Sequence, residues 1–167
     1  MKTEFSVNIT EKDLFAFLMS NTYKKFTGVM WIVFSIVCVG IAIYTWGDVK
    51  IWNSIILIFA ASFYTIINPI LLYSKAKRQI KNNDYFNNTL MYAIDEKGIE
   101  VVQGEDKVSV KWDEIWKAVN CGSIVAVYIT TIRAFILPIR CMGDKYNDFV
   151  DLARQGLSTR CKLSKKK

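Results

Sequence analysis

The chain has 167 residues, of which 52% are hydrophobic, and 22 Lys and Arg against 15 Asp and Glu give it a formal net charge of +7. A mean hydropathy of +0.20 is high for a water-soluble domain. The lack of histidine removes the commonest general base and metal ligand, and the cysteines at 38, 121, 141 and 161 show no C-x-x-C spacing. We therefore expect no catalytic residue, no metal site and no cofactor.

Residues 1–27 predict a short strand followed by a helix. Phe5 and Val7 alternate with polar residues, a pattern typical of a strand. Thr10 is followed three residues later by Asp13, a spacing that predicts a capped helix beginning directly after Thr10. The apolar residues that follow indicate a helix lying at a membrane surface.

Two apolar runs, residues 28–46 and 51–73, contain no ionisable side chain that is charged at neutral pH. Each is close to the roughly 20 residues that cross a hydrocarbon core. The first holds nine Val, Ile or Phe residues and the second twelve Ile, Leu or Phe residues, which sum to roughly −3 to −5 and −4 to −7 kcal/mol of insertion free energy. The runs therefore predict two transmembrane helices rather than buried helices of a soluble protein or a cleaved signal peptide.

Residues 47–50 predict the extracytoplasmic turn of a helical hairpin, since Trp46 and Trp52 flank it and suit the headgroup region. Basic residues collect at the opposite ends of the two runs, the second of which continues into a basic linker, residues 74–88. Because cytoplasmic flanks are rich in Lys and Arg, we expect both termini in the cytoplasm of a multi-pass protein of the bacterial cell membrane. The six basic side chains at these cytoplasmic ends are also candidates for contact with anionic lipid: Lys24, Lys25, Lys75, Lys77, Arg78 and Lys81.

Small or short polar residues recur every seven positions in both apolar runs. Such columns let helix backbones approach closely in lipid. We therefore predict that the two helices pack through Gly28, Ser35, Ala42, Ser54, Ala61 and Asn68.

Residues 89–157 predict a separate cytoplasmic domain, an antiparallel meander closed by a helix. Six short segments are rich in β-branched and aromatic residues and are separated by glycines. Within them Val108, Val110 and Trp112 are expected to face a core. A helix opening at Asp144 carries an apolar stripe for covering the sheet: Tyr146, Phe149, Val150, Ala153 and Leu157. The predicted fold class is membrane α+β, with a helical hairpin followed by a small antiparallel β-barrel or sheet.

Positive charge is concentrated after the second run. The Lys and Arg of residues 74–88 lie next to an anionic bilayer surface, so nucleic acid is not needed to explain the charge. The basic tail, residues 158–167, is expected to be solvated and disordered. Lys107, Lys111 and Lys117 are candidates for facing a partner.

Several segments resemble the YcxB-like bacterial membrane proteins: "MYAIDEKGIEVV", "VSVKWDEIWKAV" and "VYITTIRAFILPIR". The resemblance covers nearly the whole chain and includes the turn that begins at Trp112 and the strand end at Pro138. It implies a small pleckstrin-homology-like domain and no assigned activity. Six strands are one short of that fold, and residues 3–9 are the candidate for an additional edge strand.

Two functional hypotheses follow. The first is a membrane-anchored, non-enzymatic interaction module whose cytoplasmic domain binds a protein or anionic lipid at the inner membrane face. The alternative is an immunity or resistance factor against membrane-active peptides such as bacteriocins, by analogy with other pleckstrin-homology-like membrane proteins. The expected partners are the lipid bilayer and an unidentified membrane or cytoplasmic protein, not nucleic acid, and the sequence leaves homo-oligomerisation open.

Overall fold

A computed structural model describes residues 2–24, 26–83, 86 and 88–165, with the side chain of residue 27 outside the description. The chain divides into a helical unit, Leu18–Lys77, and a β-sheet unit formed by Met1–Phe17 together with Arg78–Lys167. The long helices and most of the strands thus fall into different units, as the predicted α+β class requires.

The N-terminal half holds the long helices: α1 (Glu11–Tyr23), α2 (Phe26–Tyr44), α3 (Ile51–Ser62), a single π-helical segment (Phe63–Ile67) and α4 (Asn68–Asn82). The last three form one continuous helix of 32 residues. It continues for nine residues past 73, the end of the predicted transmembrane span, because the Lys, Arg and Gln residues that follow are good helix formers. At the turn between α2 and α3, α2 ends before Gly47, whose φ of 95° is incompatible with a right-handed helix.

The start of α1 confirms the predicted cap. The backbone N–H and the hydroxyl of Thr10 both donate to Asp13 Oδ2, at 2.8 and 2.6 Å. Asp13 is buried, and Arg140 forms an ion pair with the same carboxylate while donating to the carbonyl of Asn8 at 2.9 Å. A buried carboxylate is thus neutralised by a cation 127 residues away, a contact that no local pattern indicates.

The first sheet has the order β1-β2-β3-β4, with every neighbouring pair antiparallel. Its strands are β1 (Thr3–Val7), β2 (Leu90–Ile94), β3 (Gly98–Gln103) and β4 (Asp106–Lys111). Phe5 lies opposite Tyr92 across the β1–β2 pair. The prediction that the N-terminal segment supplies an edge strand is therefore confirmed.

The second sheet has the order β7-β6-β5-β8. Its strands are β5 (Lys117–Asn120), β6 (Ile124–Tyr128), β7 (Ala134–Pro138) and β8 (Cys161–Lys162). The pairs are antiparallel except that the short β8 runs parallel to β5. Two further helices, α5 (Ile139–Met142) and α6 (Tyr146–Leu157), connect β7 to β8.

The strands that the structure describes form two open four-stranded sheets, so of the two predicted alternatives the sheet is found and the closed barrel is not. The chain leaves the first sheet through a 3₁₀ turn, Trp112–Glu114. Trp112 is buried, and its indole N–H donates to the carbonyl of Asp95 at 2.9 Å. Because this anchored ring redirects the chain, β5 begins a new sheet instead of extending the first one.

The core of the β-sheet unit lies where the two sheets and α6 meet. Tyr92 of the first sheet and Phe135 of the second meet edge to face, with ring centroids 6.0 Å apart. All five residues of the predicted stripe on α6 are buried. Gly156 of that helix lies so close to the Trp112 ring that a Cβ atom would overlap it.

Two expectations need correction, one about a side chain of the first sheet and one about the C-terminal tail. Val108 is 52% exposed, although Val110 and Trp112 are buried as predicted; the first four residues of β4, next to its turn with β3, are all exposed, and Val108 is one of them. The start of the predicted disordered tail is also ordered, since Leu163 is buried and its carbonyl accepts from Arg154 at 2.9 Å.

Candidate interaction surfaces

The helical unit has an inverted distribution of side chains. Four of the residues predicted to pack between helices are buried, at 6% exposure or less: Ser35, Ala42, Ser54 and Ala61. Large apolar side chains point outward instead, and Ile36 and Ile56 are 66% and 65% exposed. Small side chains at the contact let α2 and α3 approach closely, which leaves the aliphatic and aromatic residues to the surroundings.

The other two residues of the predicted packing set lie near the Tyr23 end of the helical unit. Gly28 is buried against the backbone of Thr22 and Tyr23, with no room for a side chain. Asn68 is half-buried and donates its amide to the Tyr23 hydroxyl at 3.3 Å, while that hydroxyl donates to the carbonyl of Tyr64 at 2.6 Å. These contacts tie the end of α1 to the π-helical segment and the start of α4.

A cleft of about 390 Å³ lies beside the contact between α2 and the longer helix, lined by residues that include Ile32, Ser35 and Thr65. The Ser35 hydroxyl donates to the carbonyl of Trp31 at 3.0 Å, and the Thr65 hydroxyl donates to that of Ala61 at 3.1 Å. Both hydroxyls are thus satisfied by their own helix. The lining contains no ionisable group, so the cleft has neither charge nor a nucleophile activated by a base.

The predicted lipid-contacting cations are placed on helix ends. All four in the α4 segment are exposed: Lys75, Lys77, Arg78 and Lys81. Lys24 is exposed just after α1, and Lys25 lies outside the described residues. The ammonium and guanidinium groups on α4 are thus available to anions.

The three lysines predicted to face a partner belong to two different sheets. Lys107 lies on the edge strand β4 and pairs with Glu100 at 2.9 Å. Lys111 ends the same strand, and its backbone N–H donates to the Glu114 carboxylate at 3.0 Å. Lys117 begins β5 in the second sheet, so the three do not share a strand or a sheet.

Lys117 packs against two rings that the sequence pattern did not single out. Its Nζ lies 4.2 Å from the ring centroid of Trp116 and 5.1 Å from that of Tyr128. The backbone N–H of Trp116 donates to the carbonyl of Tyr128 at 2.8 Å. Antiparallel pairing of β5 with β6 makes this cluster, and the adjacent Trp and Lys were its visible signal in the sequence.

Burial shifts the pKa of three titratable groups in the β-sheet unit. Burial raises the pKa of the Cys161 thiol above its ordinary value and raises the pKa of the Tyr128 and Tyr146 hydroxyls. The Tyr146 hydroxyl donates to the carbonyl of Ser164 at 2.9 Å. No group of three or more Cys, Asp or Glu residues in the described part of the chain is arranged to hold a metal ion.

One helix among the described residues, Ile51–Asn82, is long and apolar enough by itself to cross a membrane. Glu11–Tyr23 and Gly28–Tyr44 meet the same criterion only when taken together, with a bend of 75° between them.

Comparisons with known proteins give one positive result. No curated protein matches the chain, and no solved structure does. The model of the family described as YcxB-like protein matches residues 94–153. This stretch runs from the last residue of β2 into α6 and contains the buried turn at Trp112. Over this segment, which is about a third of its length, the chain is similar to the YcxB-like family.

Proposed function

We propose that this protein is a membrane-anchored, non-enzymatic interaction module. In this proposal α2 and the helix Ile51–Asn82 cross the bilayer as a hairpin, and the β-sheet unit works at the inner membrane face, where it binds anionic lipid or a protein. The observation that carries the proposal is the inverted packing of the helical unit. In water, its outward-facing Ile, Val, Phe and Trp side chains would form an apolar patch far larger than monomeric soluble proteins expose.

Helix lengths support the hairpin. The 19 residues of α2 extend about 28 Å at 1.5 Å per residue, close to the thickness of a hydrocarbon core. The 32-residue helix extends about 48 Å, so it continues past the hydrocarbon by several turns. The exposed cations of α4 lie in that extension, where headgroup phosphates would neutralise them.

The distribution of cations supports an orientation with both termini in the cytoplasm. Lys24 precedes α2, and four cations follow residue 73, whereas the turn between the helices carries Lys50 alone. The two sheets and α6 then form a cytoplasmic domain whose fold we propose to be related to the pleckstrin-homology fold. Its buried tyrosines and the buried Cys121 are part of the core, which favours a structural role for these groups.

Thiol accessibility in intact cells tests the topology. A membrane-impermeant maleimide should label an Asp48→Cys variant in the turn without permeabilisation. The native Cys141 and Cys161, both partly exposed in the β-sheet unit, should react only after permeabilisation. Labelling of these native thiols in intact cells at the rate of position 48, or release of the protein by alkaline carbonate, would overturn the proposal.

Partner binding is best tested with the full chain in nanodiscs. A fragment that begins at residue 83 would lose β1 from the first sheet and the Asp13 partner of Arg140. Pull-down from a membrane extract, with the empty nanodisc as control, should recover a specific protein, or nanodiscs with anionic lipid should alter the β-sheet unit. A folded protein that responds to neither would refute the interaction module.

A further inference from the structure

An aromatic cluster marks one end of the second sheet. Trp116 and Tyr128 meet edge to face at 6.3 Å, with the Lys117 ammonium over both rings. Trp116 is nevertheless 46% exposed. A ring pair with an attached cation and an open face combines apolar and polar character at one place, as the interface of a membrane does.

The loop between β6 and β7, residues 129–133, lies at the same end because it follows Tyr128 directly. Ile132 at its tip is 83% exposed, and Arg133 beside it is exposed. The loop is ordered by hydrogen bonds: the backbone N–H of Ile129 donates to the carbonyl of Arg133 at 3.0 Å, and that of Arg133 donates to the Thr130 hydroxyl at 3.0 Å. An aliphatic side chain is therefore held out from the domain by a formed turn.

The aromatic cluster also includes a residue from the N-terminal part of the β-sheet unit. The Phe17 ring lies 6.1 Å from that of Tyr128, and Phe17 is the last residue of this unit before the chain continues into the helical unit. The apolar character of this end of the domain is therefore shared by three rings.

We infer that this surface, formed by Trp116, Lys117, Ile132 and Arg133, docks on an anionic lipid bilayer and holds the β-sheet unit against it. The inference rests on the proposed membrane anchor. Ile132 enters the headgroup region, Trp116 lies at the interface, and the two cations contact lipid phosphates. Trp116 and loop residues 129–131 also line a cavity with Asp113, Glu114 and Arg160. Because its two carboxylates would be repelled by anionic lipid, the docking contact is made by the tip of the loop and the outer face of Trp116, not by the cavity.

Site-specific labels in the full-length protein test the docking. An environment-sensitive fluorophore is attached at Ile132→Cys, or at Ser123→Cys in the turn at the opposite end of β6, with Cys141 and Cys161 replaced by serine. The probes are nanodiscs of phosphatidylcholine alone and of phosphatidylcholine with phosphatidylglycerol, each with and without brominated acyl chains. We expect quenching by brominated lipid at 132 and not at 123. Equal quenching at both positions, or none at 132, overturns the inference.

The charge dependence provides a second criterion. Each cation near an anionic surface contributes about fivefold to binding, so Lys117→Gln and Arg133→Gln should each lower the docked-to-free ratio by about that factor in the anionic nanodiscs. Lys107→Gln removes the same charge from the first sheet and should leave the ratio unchanged. Equal docking in neutral and anionic nanodiscs overturns the assignment to anionic lipid.

Intrinsic fluorescence keeps the test valid if the serine background does not fold. The difference in brominated-lipid quenching between the native chain and Trp116→Phe reports on this single indole, and a zero difference overturns the inference. The remaining tryptophans separate the two proposals. Quenching of the Trp116→Phe protein, whose four indoles include Trp31 and Trp52, together with a zero difference from the native chain, leaves the membrane anchor standing and removes the docking surface. No quenching of the Trp116→Phe protein refutes the anchor itself.

Discussion

Replacing Phe59 with arginine distinguishes a lipid-facing from a water-facing position. Phe59 lies in α3 and is 63% exposed. Arginine near the centre of a transmembrane helix costs about 2.5–3.5 kcal/mol and the phenyl group contributes about 0.3–0.6 kcal/mol, so the change is about 3–4 kcal/mol. Against roughly −4 to −7 kcal/mol for the whole run, the insertion free energy falls to between roughly 0 and −4 kcal/mol.

The measurement is the membrane-inserted fraction of the full chain, from carbonate extraction and from labelling of the turn between α2 and α3. We expect Phe59→Arg to shift the insertion equilibrium by at least about 100-fold, with Phe59→Leu unchanged. Val108→Arg is the matched control in the β-sheet unit, because Val108 is also about half exposed, at 52%. A surface substitution of this kind changes stability by about 0.5 kcal/mol or less.

A lipid-facing and a water-facing helical unit predict opposite effects of the Phe59→Arg substitution. If the helical unit faced water, arginine would replace an exposed phenyl group and would improve solubility. A Phe59→Arg protein that stays folded and becomes more soluble, in parallel with Val108→Arg, would therefore contradict the membrane assignment.

Three further predictions concern the β-sheet unit. Gly156→Ala should lower its unfolding free energy by about 1–3 kcal/mol in urea titration, because the new methyl overlaps the Trp112 ring; an unchanged midpoint would show that the ring moves freely. Arg140→Ala leaves the buried Asp13 carboxylate without its cation and should cost about 1–3 kcal/mol, whereas the double variant with Asp13→Asn should recover part of that loss. Burial raises the pKa of the Cys161 thiol above its ordinary 9.0, so the folded chain retains a proton that the unfolded chain releases. The contribution of the Cys161 thiol to stability is complete below pH 9.0 and is lost as the pH rises through the raised pKa. The loss of stability at high pH should therefore be smaller in Cys161→Ala. Identical pH profiles for the native chain and Cys161→Ala would contradict this prediction.

Local patterns in the sequence were sufficient for elements whose partners are close along the chain. The spacing of Thr10 and Asp13 predicted the start of α1, since a helix cap involves residues three apart. The 3.6-residue period predicted the buried face of α6, because one stripe on a helix must meet one surface. The alternation at Phe5 and Val7 likewise predicted a strand, and the strand count implied by the family resemblance suggested its place at a sheet edge.

Contacts between residues far apart along the chain could not be predicted from the sequence. Nothing near Arg140 indicates that it neutralises Asp13, and nothing near β5 indicates that β8 lies beside it. Val108 has the same alternation as Val110 in the same strand, but it lies nearer the β3–β4 turn, where the residues of β4 are exposed. Burial at such positions depends on how many neighbours the assembled sheets provide, and periodicity reports only which face a residue occupies.

The sequence by itself determined where the apolar segments lie, which residues are small enough to pack between them, and which segments form strands. Those features follow from the composition and period of short stretches. Only the tertiary structure decided that the eight described strands form two open sheets and that Trp112 is the hinge between them. It also placed Phe17, Trp116 and Ile132 at one end of the domain, because contacts between distant parts of the chain form only when the whole core closes.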